Sequence, residues 1–177
     1  MCKNILGFLV KPTSNTETLQ KLSPQKKWII AWVLIILSYL AATFTNPLWI
    51  IITPNIITLI TSVFITIAIN LVIVAFIFLI GKILFKWKSS FLDTFFFFEL
   101  STLIYTIGTV ITNLVAIKVL WIFGLYVIYI FIIWSLVLLS KSLAKINAIS
   151  ETKVTAMVVW AIIILYFIAS ATWINIF

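Results

Sequence analysis

One apolar stretch of the chain carries a regular series of polar side chains. Glu99, Thr102, Thr106, Thr109 and Asn113 recur at intervals of three and four residues, which places them on one stripe of an α-helix. Such a stripe could form hydrogen bonds to a neighbouring helix or line a path for a polar substrate. In a bilayer it must face protein or water, because polar groups in hydrocarbon find no hydrogen-bond partner. We favour interhelical bonding, since hydroxylated side chains commonly join helices in membranes.

Glu99 is the most informative residue of this stripe. A carboxyl group deep in an apolar helix indicates either a functional site or a structural hydrogen bond formed by the protonated acid. Asn70, in the preceding apolar segment, would lie at a similar depth at a rise of about 1.5 Å per residue. The sequence therefore predicts that Glu99 bonds to Asn70 or to Thr66 and holds two helices in register.

The residue types that most enzymes need are missing from the chain. Histidine is absent and the single cysteine is Cys2, so no intramolecular disulfide and no Cys-based metal site can form within one chain. No nucleophile with a neighbouring base and no pair of deep carboxyl groups is recognisable. We therefore expect a protein that is not an enzyme, with no catalytic, cofactor-binding or metal-binding residues.

The composition indicates a membrane protein. Hydrophobic residues make up 64% of the chain and charged residues 9%, against roughly 45–50% and 25% in soluble domains. A soluble fold of 177 residues could not bury so much apolar surface. The predicted fold is all-α and integral to the membrane, a bundle of five transmembrane helices.

Apolar runs separated by proline, asparagine and lysine set the predicted organisation. Residues 1–27 are predicted to be a basic cytoplasmic tail that resists packing, and residues 28–177 to form the five-helix transmembrane domain. The run from Phe91 to Ser140 is too long for one span, so a tight turn is expected near Asn113 and Lys118. The predicted spans are about 28–45, 55–81, 91–115, 119–140 and 154–173.

The lysines predict the orientation of the chain in the membrane. All twelve basic residues are lysines, and eleven fall in the predicted tail or in the loops after the second and fourth spans. Because basic residues stay on the cytoplasmic side, the N-terminus is predicted to be cytoplasmic and Phe177 to lie outside. The lysines expected to contact anionic lipid headgroups are Lys26, Lys27, Lys82, Lys86, Lys88, Lys141 and Lys145.

Tryptophans near the predicted span ends point to the same partner, the bilayer. Indole rings favour the headgroup region, so we interpret these residues as membrane-interface anchors. A nucleic-acid partner is not expected, because a chain without arginine lacks the side chain that best reads guanine and grips phosphate. The anchoring tryptophans are Trp28, Trp49, Trp87, Trp121 and Trp173.

The element Phe8-Leu9-Val10-Lys11-Pro12 is followed by a polar stretch and five apolar segments, and Trp134–Leu139 leads into Ser142–Lys153. In these features nearly the whole chain resembles the YIP1 family, most closely at the last two segments. The short tail and the usage rich in Ile, Lys, Phe and Asn resemble the bacterial branch. The eukaryotic branch binds prenylated Rab GTPases, but its longer N-terminal domain and its Tyr-Gly-Pro type motif have no match here, so that function is not carried over.

The resemblance implies a protein that catalyses no reaction itself. Some bacterial members accompany ABC-type exporters or protection against membrane-active peptides. We predict a multi-pass protein of the cell membrane that acts as an accessory or scaffold subunit for partner membrane proteins or for the bilayer. The expected partner is a membrane protein such as an ABC exporter, or a second copy of the chain. The alternative is a small transporter or permease component that uses the polar face of the third helix.

Overall fold

The structure is a computed structural model that describes residues 2–45, 55–116 and 121–174. Within these ranges the chain forms seven α-helices and no strand, which confirms the predicted all-α class. The helices are α1 (Cys2–Val10), α2 (Pro12–Gln20), α3 (Pro24–Thr45), α4 (Ile56–Phe85), α5 (Phe91–Ala116), α6 (Trp121–Asn147) and α7 (Glu151–Ile174).

The five longest helices coincide with the five predicted apolar spans and mostly extend beyond them. By length and composition, Ile56–Phe85, Phe91–Leu114 and Tyr126–Asn147 can cross a membrane. The chain is therefore a membrane protein with at least three candidate spans, while the count of five and the orientation of the termini stay predictions. The predicted turns at 46–54 and 117–120, the latter with Lys118, lie outside the described residues.

Local signals at both ends fix the limits of α4. The Asn55 side chain accepts a hydrogen bond of 3.2 Å from the Ile57 amide and so caps the first turn. At the other end Lys86 adopts a left-handed conformation with φ 51°, and the Trp87 amide bonds to the Gly81 carbonyl at 3.3 Å. A left-handed residue ends many helices in this way. The 30 residues between these caps span about 45 Å, more than the roughly 30 Å of a hydrocarbon core.

Helix α5 is the centre of the bundle and packs most extensively against α6 and α3. Its first turn is closed by reciprocal bonds in which the Ser90 hydroxyl accepts from the Asp93 amide and the Ser90 amide donates to the Asp93 carboxylate. Phe95 and Phe97 are fully buried on different sides of the helix. The Phe95 ring contacts Trp28 of α3 at 5.5 Å, whereas the Phe97 ring contacts Phe8 of α1 at 5.9 Å. The aromatic residues near the N-terminus of α5 therefore pack against both α1 and α3.

Two contacts gather the helix ends that carry lysines at one end of the bundle. The Lys27 ammonium lies 2.6 Å from the Asp93 carboxylate, which joins the starts of α3 and α5. The Ser89 amide donates to the Asn147 side chain at 2.9 Å, which joins the two loops that follow α4 and α6. We call this the lysine-rich end, formed by residues 21–27, 82–90 and 141–153. The sequence predicts that this end faces the cytoplasm.

The N-terminal segment differs from the unpacked tail that the sequence predicted. Pro12 begins α2, and α2 packs against α6, with Thr16 and Leu19 buried. Helix α1 is joined to α6 by a hydrogen bond of 3.3 Å from the Trp134 indole to the Leu9 carbonyl. The prediction that this segment resists packing is wrong, because partners more than a hundred residues away complete its weak apolar faces.

Trp87 also differs from its predicted role as an interface anchor. Its side chain is 2% exposed and fills the space over Gly81, where a Cβ atom would lie 2.2 Å from the indole ring. Trp28 is 37% exposed and stacks on Trp32, an arrangement that an interfacial residue can adopt. The side chains of Trp49, Trp121 and Trp173 lie outside the described residues.

Candidate functional site

A cavity lined by polar side chains lies between α3, α4 and α5. Its volume is about 320 Å³; of the described residues that line it, Ile35 is the only one without a polar side-chain atom, although most of the lining surface is carbon. A space of this size and polarity holds several water molecules, each of which takes about 30 Å³ in the liquid. The polar lining residues are Ser38, Tyr39, Thr66, Asn70, Thr102, Tyr105, Thr106 and Thr109.

The cavity brings together four of the six residues predicted from the sequence. Asn70 comes from α4, and Thr102, Thr106 and Thr109 come from successive turns of α5. A short loop joins α4 to α5, so the two helices are antiparallel and their polar stripes run side by side. Asn113 lies further along α5, beyond the residues of the lining.

The threonine hydroxyls of the cavity donate their protons within their own helices. Thr66 donates to the Ser62 carbonyl at 2.9 Å, and Thr106 donates to the Thr102 carbonyl at 3.0 Å. Such bonds satisfy the hydroxyl proton but leave oxygen lone pairs that still accept. None of the described lining residues is charged, so the wall presents neutral acceptor oxygens, together with the Asn70 amide that also donates, to water or a polar solute.

Glu99 lies beside this cavity but not on its wall. Its side chain is fully buried, and the Thr102 hydroxyl, which donates to the Glu99 backbone carbonyl at 2.8 Å, lies 3.4 Å from Oε2. Within the part of the chain that the structure describes, Oε1 has no hydrogen-bond partner. The predicted bond from Glu99 to Asn70 or Thr66 is not formed, because a hydroxyl one turn away on the same helix meets the carboxyl group first.

Two cavity residues were missed by the sequence reasoning. Ser38 and Tyr39 of α3 line the cavity, and the Ser38 oxygen is buried without a partner among the described residues. A signal was present, since these are the only hydroxylated side chains between residues 29 and 42. Two adjacent hydroxyl groups form no stripe, so a search for helical periodicity passes over them.

Several lysines predicted to contact lipid headgroups are engaged within the protein. Lys27 is bonded to Asp93, the Lys82 ammonium donates to the Trp87 carbonyl at 2.7 Å, and Lys145 lies 2.8 Å from Glu17. Lys26, Lys86 and Lys88 are exposed, and Lys141 is half-buried. The headgroup prediction therefore depends mainly on these last four residues.

The residues that the structure describes include no group of three or more His, Cys, Asp or Glu side chains that could hold a metal ion. Glu99 itself is fully buried, with the Thr102 hydroxyl at hydrogen-bond range of its carboxyl group. The chemistry that this region supports is hydrogen bonding to neutral or donating groups.

Three helices that can cross a membrane, two of which line the polar cavity together with α3, define an α-helical integral membrane protein. Residues 6–174 match the Yip1 domain, which covers nearly the whole chain. The chain therefore belongs to the Yip1 domain family, as its resemblance predicted. It gives no match among curated proteins or among solved structures.

Proposed function

We propose that this protein is a non-enzymatic accessory or scaffold subunit of the cell membrane that binds partner membrane proteins. The observation that supports this proposal is the exposure of α4. Only 11% of its most apolar 18 residues are buried within the chain. An apolar helix with so little cover from its own chain has faces available for a helix of another protein.

The exposed side of α4 has the spacing used in helix pairs. Ile65, Ile69, Val72 and Leu79 are each more than half exposed and recur at intervals of four, three and seven residues. This is the heptad spacing by which most membrane helices pack at small crossing angles. The proposed occupant of this stripe is a transmembrane helix of a partner, with an ABC-type exporter as the first candidate and self-association as the second.

Family membership supports the same role. The Yip1 family is of membrane-trafficking and scaffold type, and a subunit that only binds needs no catalytic residues. We further propose that the chain is of bacterial type, that α3 to α7 all cross the membrane, and that the lysine-rich end is cytoplasmic with the C-terminus outside. Residues 1–27 would then lie on the cytoplasmic side, folded against α5 and α6.

Site-specific photo-crosslinking in intact membranes tests the partner proposal. Benzoylphenylalanine at Ile69 should give one discrete adduct whose partner is a membrane protein, and deletion of either gene should cause the same defect. The matched control is Leu114 on α5, which at 53% is as exposed as Ile69 and, among the large apolar side chains described on α5, is the only one more than half exposed. Adducts to lipid alone at Ile69, or equal adducts at both positions, would contradict the proposal.

A second candidate function, a small transporter or permease component, is supported by the polar cavity. Its acceptor groups suit a solute that donates hydrogen bonds, and α3, α4 and α5 would form the path. Against it, no described residue of the cavity wall is charged, whereas transport sites commonly pair ionisable groups at depth.

A flux assay with purified protein in liposomes decides between the two functions. The scaffold proposal expects no solute movement by the protein alone. Movement that is lost in Asn70→Leu and Thr106→Val, but kept in the α4 variant Ile69→Ala, would replace the scaffold proposal with transport.

A further inference from the structure

A second hollow, which we call the apolar slot, lies between α4 and α7 and is separate from the polar cavity. Its volume is about 410 Å³. Leu84 and Phe85 of α4 and Ala156, Met157 and Trp160 of α7 form most of its surface. Lys153 is the one charged residue among the described residues of its lining.

The apolar slot is open outward and extends across about one leaflet. Met157, 5% exposed, forms its floor, while Leu84 and Trp160 at its edges are 66% and 63% exposed. Along α7 the lining runs from Lys153 to Ile164, a rise of about 16 Å. Half of a hydrocarbon core is about 15 Å, so the slot is as long as one acyl layer.

Positive charge is confined to one end of the slot. Lys153 lies in the first turn of α7, and Lys86 directly follows Phe85 at the end of α4. Both lysines are exposed, and the two salt bridges among the described residues involve other lysines, Lys27 and Lys145. The lysine-rich end of the slot therefore carries two ammonium groups without a carboxylate partner in the described chain.

We propose that the apolar slot is a binding site for one anionic phospholipid. One acyl chain lies on Met157 between α4 and α7, and the phosphate lies at Lys153 with Lys86 beside it. The charges match, because an anionic headgroup keeps a net negative charge that a zwitterionic headgroup lacks. This site depends on no partner protein and is independent of the function proposed above.

Native mass spectrometry tests the site on the purified full chain in detergent with equal phosphatidylglycerol and phosphatidylcholine. The wild type should retain phosphatidylglycerol preferentially. Lys153→Gln should lower its occupancy about fivefold and leave phosphatidylcholine unchanged. The matched control is Lys21→Gln, another exposed lysine of the lysine-rich end that is not among the predicted headgroup contacts, which should have no effect.

Substitutions in the slot itself test where the acyl chain lies. Ala156→Phe should fill the slot and reduce retention of both lipids. If this variant folds poorly, Leu84→Ala tests the same point, because it removes one wall and should also reduce retention of both lipids. The control is Val159→Phe, which is partly exposed on α7 but outside the lining.

Three results would overturn the proposal. An equal loss in Lys21→Gln and Lys153→Gln would mean diffuse attraction by the whole basic end. Full retention in both Ala156→Phe and Leu84→Ala would place the lipid elsewhere. A change of oligomeric mass in these variants, with lipid retention unchanged, would make a second copy of the chain the occupant.

Discussion

The ammonium of Lys27 lies 2.6 Å from the carboxylate of Asp93, and both side chains are largely buried, at 8% and 15% exposure. The bond joins the first turn of α3 to the first turn of α5. The Asp93 carboxylate also accepts from the Ser90 hydroxyl at 2.7 Å. One acidic group thus caps its own helix and holds a second helix at the same level.

Replacing Lys27 by Ala should destabilise the bundle. The change leaves Asp93 half-buried with only its Ser90 bonds, and we expect the free energy of unfolding to fall by about 1–3 kcal/mol. Unfolding by denaturant in mild detergent measures the loss. Lys26→Ala, at the exposed neighbouring position, should change it by less than about 0.5 kcal/mol. Equal effects of the two variants would show that the ion pair contributes nothing specific.

Gly108 should tolerate no side chain at the interface of α5 and α6. A Cβ atom there would lie 2.4 Å from Phe131 Cβ and Cγ, so Gly108→Ala must push the helices apart. We expect a loss of about 1–3 kcal/mol, as for overpacked cores. Gly7→Ala is the control, because its Cβ would meet only the flexible Asn15 side chain at 3.1 Å. A Gly108→Ala protein as stable as the wild type would contradict the close contact.

The bonding of Glu99 predicts that its carboxyl group is dispensable for stability. Because one oxygen has no partner in the described chain, Glu99→Gln and Glu99→Leu should each lower the free energy of unfolding by less than about 1 kcal/mol. If both variants fold but fail to restore the defect of a deletion strain, the carboxyl group serves function. A loss above about 2 kcal/mol in Glu99→Leu would instead reveal a native partner for that oxygen.

The docking of α2 against α6 should depend on pH. A hydrogen bond and the charge of Lys145 lower the pKa of Glu17 from its ordinary value of 4.5. A lowered pKa contributes stability that is complete above pH 4.5 and is lost as the pH falls through the folded-state pKa. Hydrogen exchange of α2, corrected for intrinsic rates, should therefore show less protection in acid. Glu17→Gln should remove this dependence, and an unchanged acid response would assign it to another group.

Thiol labelling tests the orientation in the membrane. Single cysteines in a chain with Cys2→Ser, introduced by Ser90→Cys and Thr152→Cys at exposed positions of the lysine-rich end, should resist an impermeant reagent in intact cells. Ile56→Cys, at the opposite end of α4, should react. Ser89 and Asn147 are unsuitable sites, since both are buried and bonded to each other. Labelling of Ser90→Cys from outside would reverse the predicted topology.

The long helices could be predicted from the sequence because the hydrophobic effect acts on runs of residues. Runs of about 20 apolar residues leave few alternatives in a bilayer. The predicted helix ends are less accurate. The second predicted span ends at residue 81, whereas α4 continues through Lys82 to Phe85 and ends at the left-handed Lys86. That limit is set by local backbone geometry rather than by hydropathy.

Contacts between distant residues account for what the sequence could not predict. The polar stripe on α5 follows from spacing alone, but its meeting with Ser38 depends on how α3 crosses α5. The position of Trp87 near a span end predicts an interface residue, but its indole ring packs over Gly81 inside the bundle. The predicted bond from Glu99 to Asn70 or Thr66 is wrong for a local reason. The Thr102 hydroxyl on the same helix competes for the carboxyl group with any partner on another helix.

The bond between Trp134 and Leu9 joins residues 125 positions apart, and it has a consequence for the order in which the protein is made. During synthesis α1 leaves the ribosome long before α6 exists, so its docking surface on Phe97 and Trp134 is completed only when most of the chain has been inserted. Until then α1 remains an apolar helix at the surface of the membrane. Its closure is therefore among the last steps of assembly, and a protease that cleaves near Lys11 would distinguish half-assembled chains from finished ones.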